Sequence, residues 1–296
     1  MTTIKIKTGA WYEDREVELE FPDSWSVTTH LPGTPQPLTQ AELELCIDSP
    51  VGCAPMTEQR AGANRVAIVV DDLSRPTPVH AVMPLLIKRI RDASRTAAIS
   101  VVVATGTHGN QDEKALRSKL GAAAFENCSV EVHNDLKGPR KIGKTSFSTP
   151  VYVNPTVLAA DVLIGVGGVY PQHTTGFGGG GKLALGICGR QTIMGLHYKH
   201  KSMEGQYITD NDFRKDVCEI AQMIGLSSML TLHIDAFSNI VRAVFGDHAI
   251  FYDKAAEFAK DAYTAPVAAK ADIVIANAYP LDTSFTFMRK GYKPLY

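Results

Sequence analysis

Apolar residues follow two alternating patterns along this chain. Short, nearly continuous apolar runs predict buried β-strands, and longer amphipathic segments between them predict helices. The predicted strands are Val66–Val70, Ile99–Ala104, Ser129–His133, Asp161–Val166, Met229–Ile234, Asn239–Phe245 and Asp272–Ala276. The predicted helices are Ala41–Cys46, Pro84–Ala93, Gln111–Leu120, Asp212–Ile224 and Ile250–Ala268. This alternation predicts an α/β fold, with a mostly parallel sheet covered by helices on both faces.

The two ends of the chain depart from this alternation. Thr3–Lys7 and Val17–Phe21 alternate polar and apolar residues on either side of a turn, which predicts a small N-terminal β-hairpin. At the other end, the predicted strand Asp272–Ala276 is followed by too little sequence for a crossover and a partner strand. We therefore expect residues 1–268 to form an N-terminal catalytic and cofactor-binding domain, and residues 269–296 to begin a truncated second α/β domain.

Composition narrows the class of protein. Thirty basic residues oppose 31 acidic ones, which argues against a nucleic-acid or membrane-surface binder. No apolar stretch approaches the length of a membrane-spanning helix. The five cysteines include no Cys-x-x-Cys pair, so neither a structural zinc site nor a disulfide framework is expected. A reducing cytoplasm is the expected location.

Polar residues cluster directly after three predicted strands. Asp71-Asp72-Leu73-Ser74-Arg75 follows the first, Thr105-Gly106-Thr107-His108 the second, and Tyr170-Pro171-Gln172-His173 lies just beyond the fourth. Ligands of open α/β sheets bind at the carboxyl ends of strands. We expect two carboxylates, one guanidinium and two imidazoles to meet there. If each residue is considered singly, another interpretation is equally good: Asp72 caps the following helix, and Arg75 forms a surface ion pair with it.

A glycine run carries the next candidate chemistry. Gly176 to Lys182 satisfies the G-x-x-x-x-G-K phosphate-loop pattern. Leu183 stands where that loop needs a magnesium-binding Ser or Thr, so nucleoside triphosphate hydrolysis is not expected. Glycines let the backbone approach a phosphate or a flat cofactor closely, and the run then delivers Lys182 at a fixed place.

Two histidines near the middle of the chain are candidate metal ligands. His197 and His200 lie three positions apart and would share one face of a helix. Imidazole suits nickel, zinc, copper or iron, and the spacing does not choose among them. Two solvated surface histidines are the competing interpretation.

Taken in order, these segments resemble the motifs of the nickel-pincer-dependent lactate racemase family. The matching segments are Asp71-Asp72-Leu73-Ser74-Arg75-Pro76-Thr77-Pro78, Ala104-Thr105-Gly106-Thr107-His108, His173 with Gly176–Lys182, Thr192-Ile193 with His197, and Tyr279-Pro280-Leu281-Asp282 with Lys290-Gly291. The likeness covers residues 60–296, and an ordered series of motifs is more specific than any single one.

The resemblance implies a 2-hydroxyacid racemase or epimerase. Such an enzyme inverts C2 by hydride transfer to a nickel-pincer nucleotide, a pyridinium-3,5-bisthiocarboxylic acid mononucleotide. The implied roles are cofactor attachment by Lys182, nickel ligation by His197, acid/base chemistry by His108 and His173, substrate binding by Arg75 and Lys290, ordering of the site by Asp72, and cofactor contacts by Thr107, Gly178, Gly179, Gly180 and Gly181. The implied partners are a small 2-hydroxyacid and, transiently, the enzymes that build the cofactor.

Two other functions stay open at this point. A zinc or iron lyase or hydrolase would use His108, His173 and His197 as ligands. A non-catalytic nucleotide-binding module would keep the glycine run and lack turnover. Two departures from the family pattern leave the substrate open, since Gly178 replaces a usual serine and Phe287 a substrate-side glutamine.

Overall fold

The secondary structure alternates as the hydrophobic pattern predicts. The computed structural model describes residues 1–283 and 288, apart from 34, 60–61, 110, 173, 201–207, 227 and 267–269. The strands are β1 Thr2–Thr8, β2 Arg15–Phe21, β3 Arg65–Asp71, β4 Ala98–Ala104, β5 Ser129–Val132, β6 Arg140–Lys144, β7 Pro150–Val153, β8 Val162–Gly168, β9 Pro171–Gln172, β10 Gly176–Phe177, β11 Ser228–Ile234 and β12 Ile240–Asp247. The α-helices are α1 Gln40–Asp48, α2 Met56–Gln59, α3 Met83–Ala93, α4 Glu113–Leu120, α5 Ala122–Asn127, α6 Pro155–Ala159, α7 Arg190–Lys199, α8 Asp212–Ile224 and α9 His248–Ala262, and 3-10 helices span Val79–Ala81 and Gly180–Ile187.

Six strands form the central sheet, in the order β12-β11-β8-β3-β4-β5. Every neighbouring pair is parallel except β11 with β12, which is antiparallel. The predicted α/β class with a mostly parallel sheet is therefore confirmed. The chain begins this sheet at β3, adds β4 and β5 on one side, and then crosses to β8 and β11 on the other. The order reverses beside β3, which is where open α/β sheets bind ligands.

The sheet is buried on both faces. Along β3, Ile68 and Val70 point into an apolar layer shared with α3, whereas Ala67 and Val69 point into a second layer shared with α8 and the longer 3-10 helix. All four residues are at most 1% exposed. Alternate residues of a strand face opposite sides, so a strand covered on both sides is a continuous apolar run. This burial is why β3 could be predicted from sequence.

The N-terminal hairpin is also confirmed. Strands β1 and β2 pair antiparallel, with Thr2 opposite Phe21 and Thr8 opposite Arg15. The turn that joins them contacts the far end of the chain, because Asp282 Oδ2 accepts hydrogen bonds from Thr8 Oγ1 at 3.0 Å and from the Gly9 amide at 2.7 Å.

The predicted strand Asp272–Ala276 is wrong. These residues form no strand, and Ile273, Val274 and Ile275 are 58–59% exposed. A strand needs a neighbouring backbone to satisfy its hydrogen bonds, and the structure places no strand beside this segment among the residues that it describes. The second domain from residue 269 remains a prediction. No helix in the described ranges is both long enough and apolar enough to cross a lipid bilayer.

Candidate active site

Three segments meet at the carboxyl ends of the central strands. The loop after β3 carries Asp72 and Arg75, and the loop after β4 carries His108. The 3-10 helix Gly180–Ile187 carries Lys182 and docks against the end of β4, where the Gly106 amide donates to the Gly186 carbonyl at 2.9 Å. The topology thus brings together residues that lie more than 100 positions apart in the sequence.

Asp72 and His108 form a paired acid and base. Asp72 is 2% exposed, and its Oδ2 lies 2.8 Å from His108 Nδ1. Its Oδ1 accepts a hydrogen bond from Ser74 Oγ at 2.5 Å. Burial opposes ionisation of Asp72, but the hydrogen bond and charge of His108 outweigh it, aided by Arg75 and Ser74, so the pKa of Asp72 lies below its usual value. An imidazole that donates from Nδ1 to a carboxylate accepts a proton at Nε2. Asp72 therefore orients His108 and does not cap a helix.

The adjacent carboxylate, Asp71, points away from the crevice. Its Oδ1 lies 2.8 Å from Lys119 Nζ, and its Oδ2 accepts hydrogen bonds from Thr77 Oγ1 at 2.5 Å and from the Gly168 amide at 3.2 Å. Lys119 is fully buried and also donates to the Arg75 carbonyl at 2.7 Å. The expectation of two carboxylates in one crevice is therefore wrong, because Asp71 anchors the loop through a buried ion pair.

Lys182 lies in a positive environment. Desolvation lowers its pKa to about 7, and the guanidinium charges of Arg75 and Arg214 act in the same direction. Its Nζ lies 5.9 Å from the ring centroid of Phe213 on α8. The His197 ring contacts the same phenyl ring edge-on, with centroids 5.0 Å apart. Lys182 and His197 are thus gathered around one aromatic side chain.

His197 and His200 both contact the Phe213 ring edge-on, but they have different hydrogen-bond partners. His197 Nδ1 lies 2.8 Å from the Ile193 carbonyl, so in the neutral ring Nδ1 carries the proton and the lone pair is on Nε2. Desolvation, together with the charges of Lys182 and His108, lowers the pKa of His197 and favours that neutral form. His200 instead lies 2.8 Å from the buried Asp216. In the part of the chain that the structure describes, no group of three His, Cys, Asp or Glu side chains is arranged to hold a metal ion.

The glycine run is not a phosphate loop. It continues into a 3-10 helix, and Gly179 and Gly180 have positive φ angles of 76° and 56°. A Cβ on Gly180 would lie 2.7 Å from Tyr252 Cδ2, and one on Gly181 would lie 3.2 Å from Ala221 Cβ. These glycines are therefore required by backbone conformation and by close packing against α8 and α9. Only Gly178 has ordinary space around it, since its nearest neighbour would be 3.7 Å away.

Arg214 supports this run and was missed in the sequence. Its Nη1 donates to the Gly179 carbonyl at 3.1 Å, and its guanidinium stacks 3.4 Å from the Tyr252 ring centroid. Tyr252 OH in turn donates to the Phe177 carbonyl at 3.1 Å. Arg214 is 5% exposed, and desolvation lowers its pKa to about 10. The available signal was its place among apolar residues at helical spacing, since Arg214 shares a face of α8 with Val217 and Ala221.

Replacement of Gly180 by alanine tests this packing. We expect Gly180→Ala to lower the free energy of unfolding by about 1–3 kcal/mol, because a side chain at a positive φ angle is strained and collides with Tyr252. Gly33→Ala is the matched control, since a Cβ there meets nothing within 4 Å. Chemical denaturation of both variants measures the difference, and equal stability would contradict the packing role.

The remaining predicted site residues have mixed outcomes. Thr107 lies exposed on the turn beside His108. His173, Phe287 and Lys290 fall outside the described residues, so their roles stay predictions from the sequence.

Solved structures of similar fold agree with this architecture. The structure of the lactate racemase apoprotein from Thermoanaerobacterium thermosaccharolyticum aligns with a TM-score of 0.74 and 24% identity, covering 89% of this chain and 63% of that one. A crystal structure of a Thermotoga maritima protein aligns with a TM-score of 0.62 and 20% identity, covering 78% of this chain and 60% of that one. At these identities the alignments support the fold alone.

Sequence comparison goes further. Lactate racemase from Lactiplantibacillus plantarum is 29% identical over 262 residues, which are 85% of this chain and 61% of that protein. Lactate racemase from T. thermosaccharolyticum is 28% identical over 254 residues, or 83% of this chain and 59% of that protein. The chain thus spans about three-fifths of the length of these relatives. The profile of the family described as the lactate racemase N-terminal domain matches residues 12–207. The resemblance found in the motifs is confirmed, and the chain belongs to the lactate racemase N-terminal domain family.

Proposed function

We propose that this chain is the cofactor-bearing part of a racemase that inverts C2 of lactate or a related 2-hydroxyacid. The observation that carries the proposal is the composition of one cluster of side chains at the carboxyl ends of the central strands. It gathers a carboxylate-oriented imidazole (His108), a guanidinium (Arg75), a lysine of low pKa (Lys182) and a neutral imidazole (His197). The similarity to lactate racemases gives the reaction class.

The residues fit the cofactor that the family resemblance implies. Covalent attachment through a lysine needs a neutral amine, and a pKa of about 7 makes that form abundant in Lys182. Imidazole suits nickel, and His197 presents a neutral ring beside Lys182. Lys182 would hold the nickel-pincer nucleotide covalently, and His197 would ligate its nickel. When bound, this group supplies a reversible hydride acceptor, which is needed because a proton at C2 beside a carboxylate is very weakly acidic.

The chain's own residues would then bind the substrate and move one proton. Arg75 would bind the substrate carboxylate, as planar guanidinium groups do. His108 would take the hydroxyl proton at Nε2, and the buried carboxylate of Asp72 would stabilise the resulting imidazolium from the Nδ1 side. Return of a proton to that oxygen would restore the hydroxyl group, and C2 would be inverted when its hydrogen returns to the opposite face of the planar carbon. His173 is proposed to do the same on the opposite face, and Lys290 to assist at the hydroxyl.

Co-production with the enzymes that build the cofactor provides the test. We expect the intact mass to show one adduct on Lys182, metal analysis to show nickel in equal proportion, and chiral chromatography to show conversion of either lactate enantiomer into the mixture. An adduct without conversion of any 2-hydroxyacid would favour the non-catalytic binding module. Zinc or iron with an unmodified Lys182 would favour the lyase or hydrolase. Cytoplasmic location and transient contact with the cofactor-building enzymes remain predictions.

His197 in α7 and His200 directly after the helix together make the nickel assignment specific. We expect His197→Ala to lower the nickel content about tenfold or more, because it removes a metal ligand. His200→Ala should leave nickel content unchanged and lower the melting temperature, because it leaves Asp216 buried without its imidazole partner. Metal analysis and thermal unfolding of both purified variants check this pair. Loss of nickel in His200→Ala alone would assign the ligand to His200.

A further inference from the structure

The backbone of Arg75 is held from two sides. Its carbonyl accepts one hydrogen bond from Lys119 Nζ at 2.7 Å and another from Trp11 Nε1 at 3.2 Å. Its amide donates to the Asp72 carbonyl at 3.0 Å. Lys119 belongs to the body of the domain, whereas Trp11 comes from the turn of the N-terminal hairpin. The residue proposed to bind the substrate carboxylate is therefore aligned partly by a separate β-hairpin.

Trp11 adopts an unusual conformation to reach this position. Its φ angle is 70°, which bulky side chains rarely adopt because the Cβ crowds the backbone. The indole ring lies 5.1 Å from Lys119 Nζ and packs against the apolar layer that includes β3 and α3. An ordinary turn residue would need neither contact. Strain of this kind persists where the surrounding contacts over-determine the conformation.

The turn itself is fixed by the far end of the chain. Besides the bonds that Asp282 accepts from Thr8 and Gly9, Tyr279 OH donates to Asp14 Oδ2 at 2.9 Å. Both contacts come from the Tyr279-Pro280-Leu281-Asp282 motif, for which the proposed chemistry has no use. Lys290, the second predicted substrate residue, follows eight positions after Asp282. The hairpin turn thus contacts both the loop that carries Arg75 and the Tyr279–Asp282 motif.

We propose that Trp11 is a positioning residue for Arg75, and that Asp282 holds the turn that presents it. This inference rests on the proposed function only in taking Arg75 as the group that binds the substrate carboxylate. In this proposal Trp11 acts through Arg75 and not through contact with substrate or cofactor. Its indole N–H fixes the Arg75 carbonyl, and this bond sets the direction in which the guanidinium leaves the loop.

Trp11→Phe isolates this bond, because it removes the N–H donor and keeps an aromatic ring beside Lys119. We expect KM for both lactate enantiomers to rise about three- to tenfold, the range for one lost hydrogen bond, with kcat within about twofold. Arg75 is expected to bind the substrate carboxylate equally tightly in the ground state and the transition state, so weaker binding raises KM and leaves kcat nearly unchanged. Asp282→Asn should raise KM in the same direction. Adduct mass and nickel content should match those of the unmodified enzyme in both variants.

Trp25→Phe is the matched control. Trp25 lies just beyond β2, is 43% exposed and contacts Phe21, so its replacement should leave KM unchanged. An unchanged KM in both Trp11→Phe and Asp282→Asn would overturn the inference. An equal rise in KM for Trp25→Phe would also overturn it, as would a fall in kcat that matches the rise in KM. If Trp11→Phe has a lower melting temperature, the Asp282→Asn result decides.

Calorimetric binding of pyruvate to the cofactor-free protein separates this inference from the proposed function. Pyruvate offers the carboxylate and planar C2 expected of the oxidised substrate. We expect its Kd to rise about three- to tenfold in Trp11→Phe and not in Trp25→Phe. That result in a protein without racemase activity would overturn the proposed function and keep the inference. Normal racemisation with the same Kd in both variants would keep the proposed function and overturn the inference.

Discussion

Lys182→Met is expected to yield a folded protein without covalent cofactor and without racemase activity. Methionine keeps the unbranched stem in the 3-10 helix but removes the amine that forms the tether. Co-production with the cofactor-building enzymes should give the unmodified polypeptide mass, with nickel near background. Activity should fall to the detection limit, because the hydride acceptor itself is absent. A normal adduct mass in this variant would show that another residue carries the cofactor.

Lys199→Met provides the control for this experiment, since Lys199 is exposed at the end of α7.

The low pKa of Lys182 also predicts how the reactivity of its amine depends on pH. Near pH 7 about half of the Lys182 side chains are neutral, and this fraction rises as the pH rises through that value. Amine acylation of the cofactor-free protein, located by peptide mass mapping, should therefore label Lys182 near neutral pH and slow below pH 6. An ordinary lysine would need a pH near 10 for the same reactivity.

His108→Ala should lower the racemisation rate by about 100- to 10,000-fold, the usual contribution of a positioned acid/base group. The structure gives the reason, because His108 is the imidazole whose Nδ1 side is held by the buried Asp72. The decrease should appear in kcat for both enantiomers, since a full inversion passes through both faces of the planar intermediate. Initial rates in each direction, measured by chiral chromatography, check this expectation.

Cofactor loading separates a chemical role of His108 from a structural one. His108→Ala should keep the adduct on Lys182 and its nickel, because His108 is not expected to hold either. His30→Ala is the control, since the His30 ring is exposed and is hydrogen-bonded to Thr28 and the Pro266 carbonyl. A variant His108→Ala with full activity would disprove the acid/base assignment. One that fails to load would show that His108 supports the cofactor instead.

The helices and strands that could be predicted from the sequence are those buried on all sides or along one face only. β3, β4 and the predicted helix Asp212–Ile224 were found because their apolar residues follow one period without interruption. The hairpin β6–β7 was missed because its strands are short, β6 is mostly basic, and the two form a separate two-stranded sheet. The segment Asp272–Ala276 shows the opposite error, a strand that was predicted but does not form. Its apolar run is a strand pattern, but a strand also needs neighbours, which periodicity does not reveal.

The same division holds in the candidate site. Motifs identified Asp72, Arg75, His108, Lys182 and His197, and the structure brings all five to one end of the sheet. The partner of a side chain could not be predicted in this way. Adjacent residues Asp71 and Asp72 look equivalent in sequence, yet only one faces the crevice, because Lys119 binds the other across 48 positions. His197 and His200 diverge for a similar reason, since Asp216 on another helix binds His200.

The buried ion pair of Asp71 and Lys119 limits which substitutions these two positions can accept during evolution. Removal of either partner alone leaves an uncompensated buried charge, at a cost of about 3–5 kcal/mol, whereas replacing both by apolar residues of similar volume is often neutral or stabilising. The intermediate single substitution is thus the barrier between two foldable states. An apolar pair would also take the Asp71 acceptor from Thr77 and the Gly168 amide, and the Lys119 donor from the Arg75 carbonyl. Selection for folding therefore opposes each single substitution, and selection for an aligned arginine would further favour the ion pair over an apolar pair.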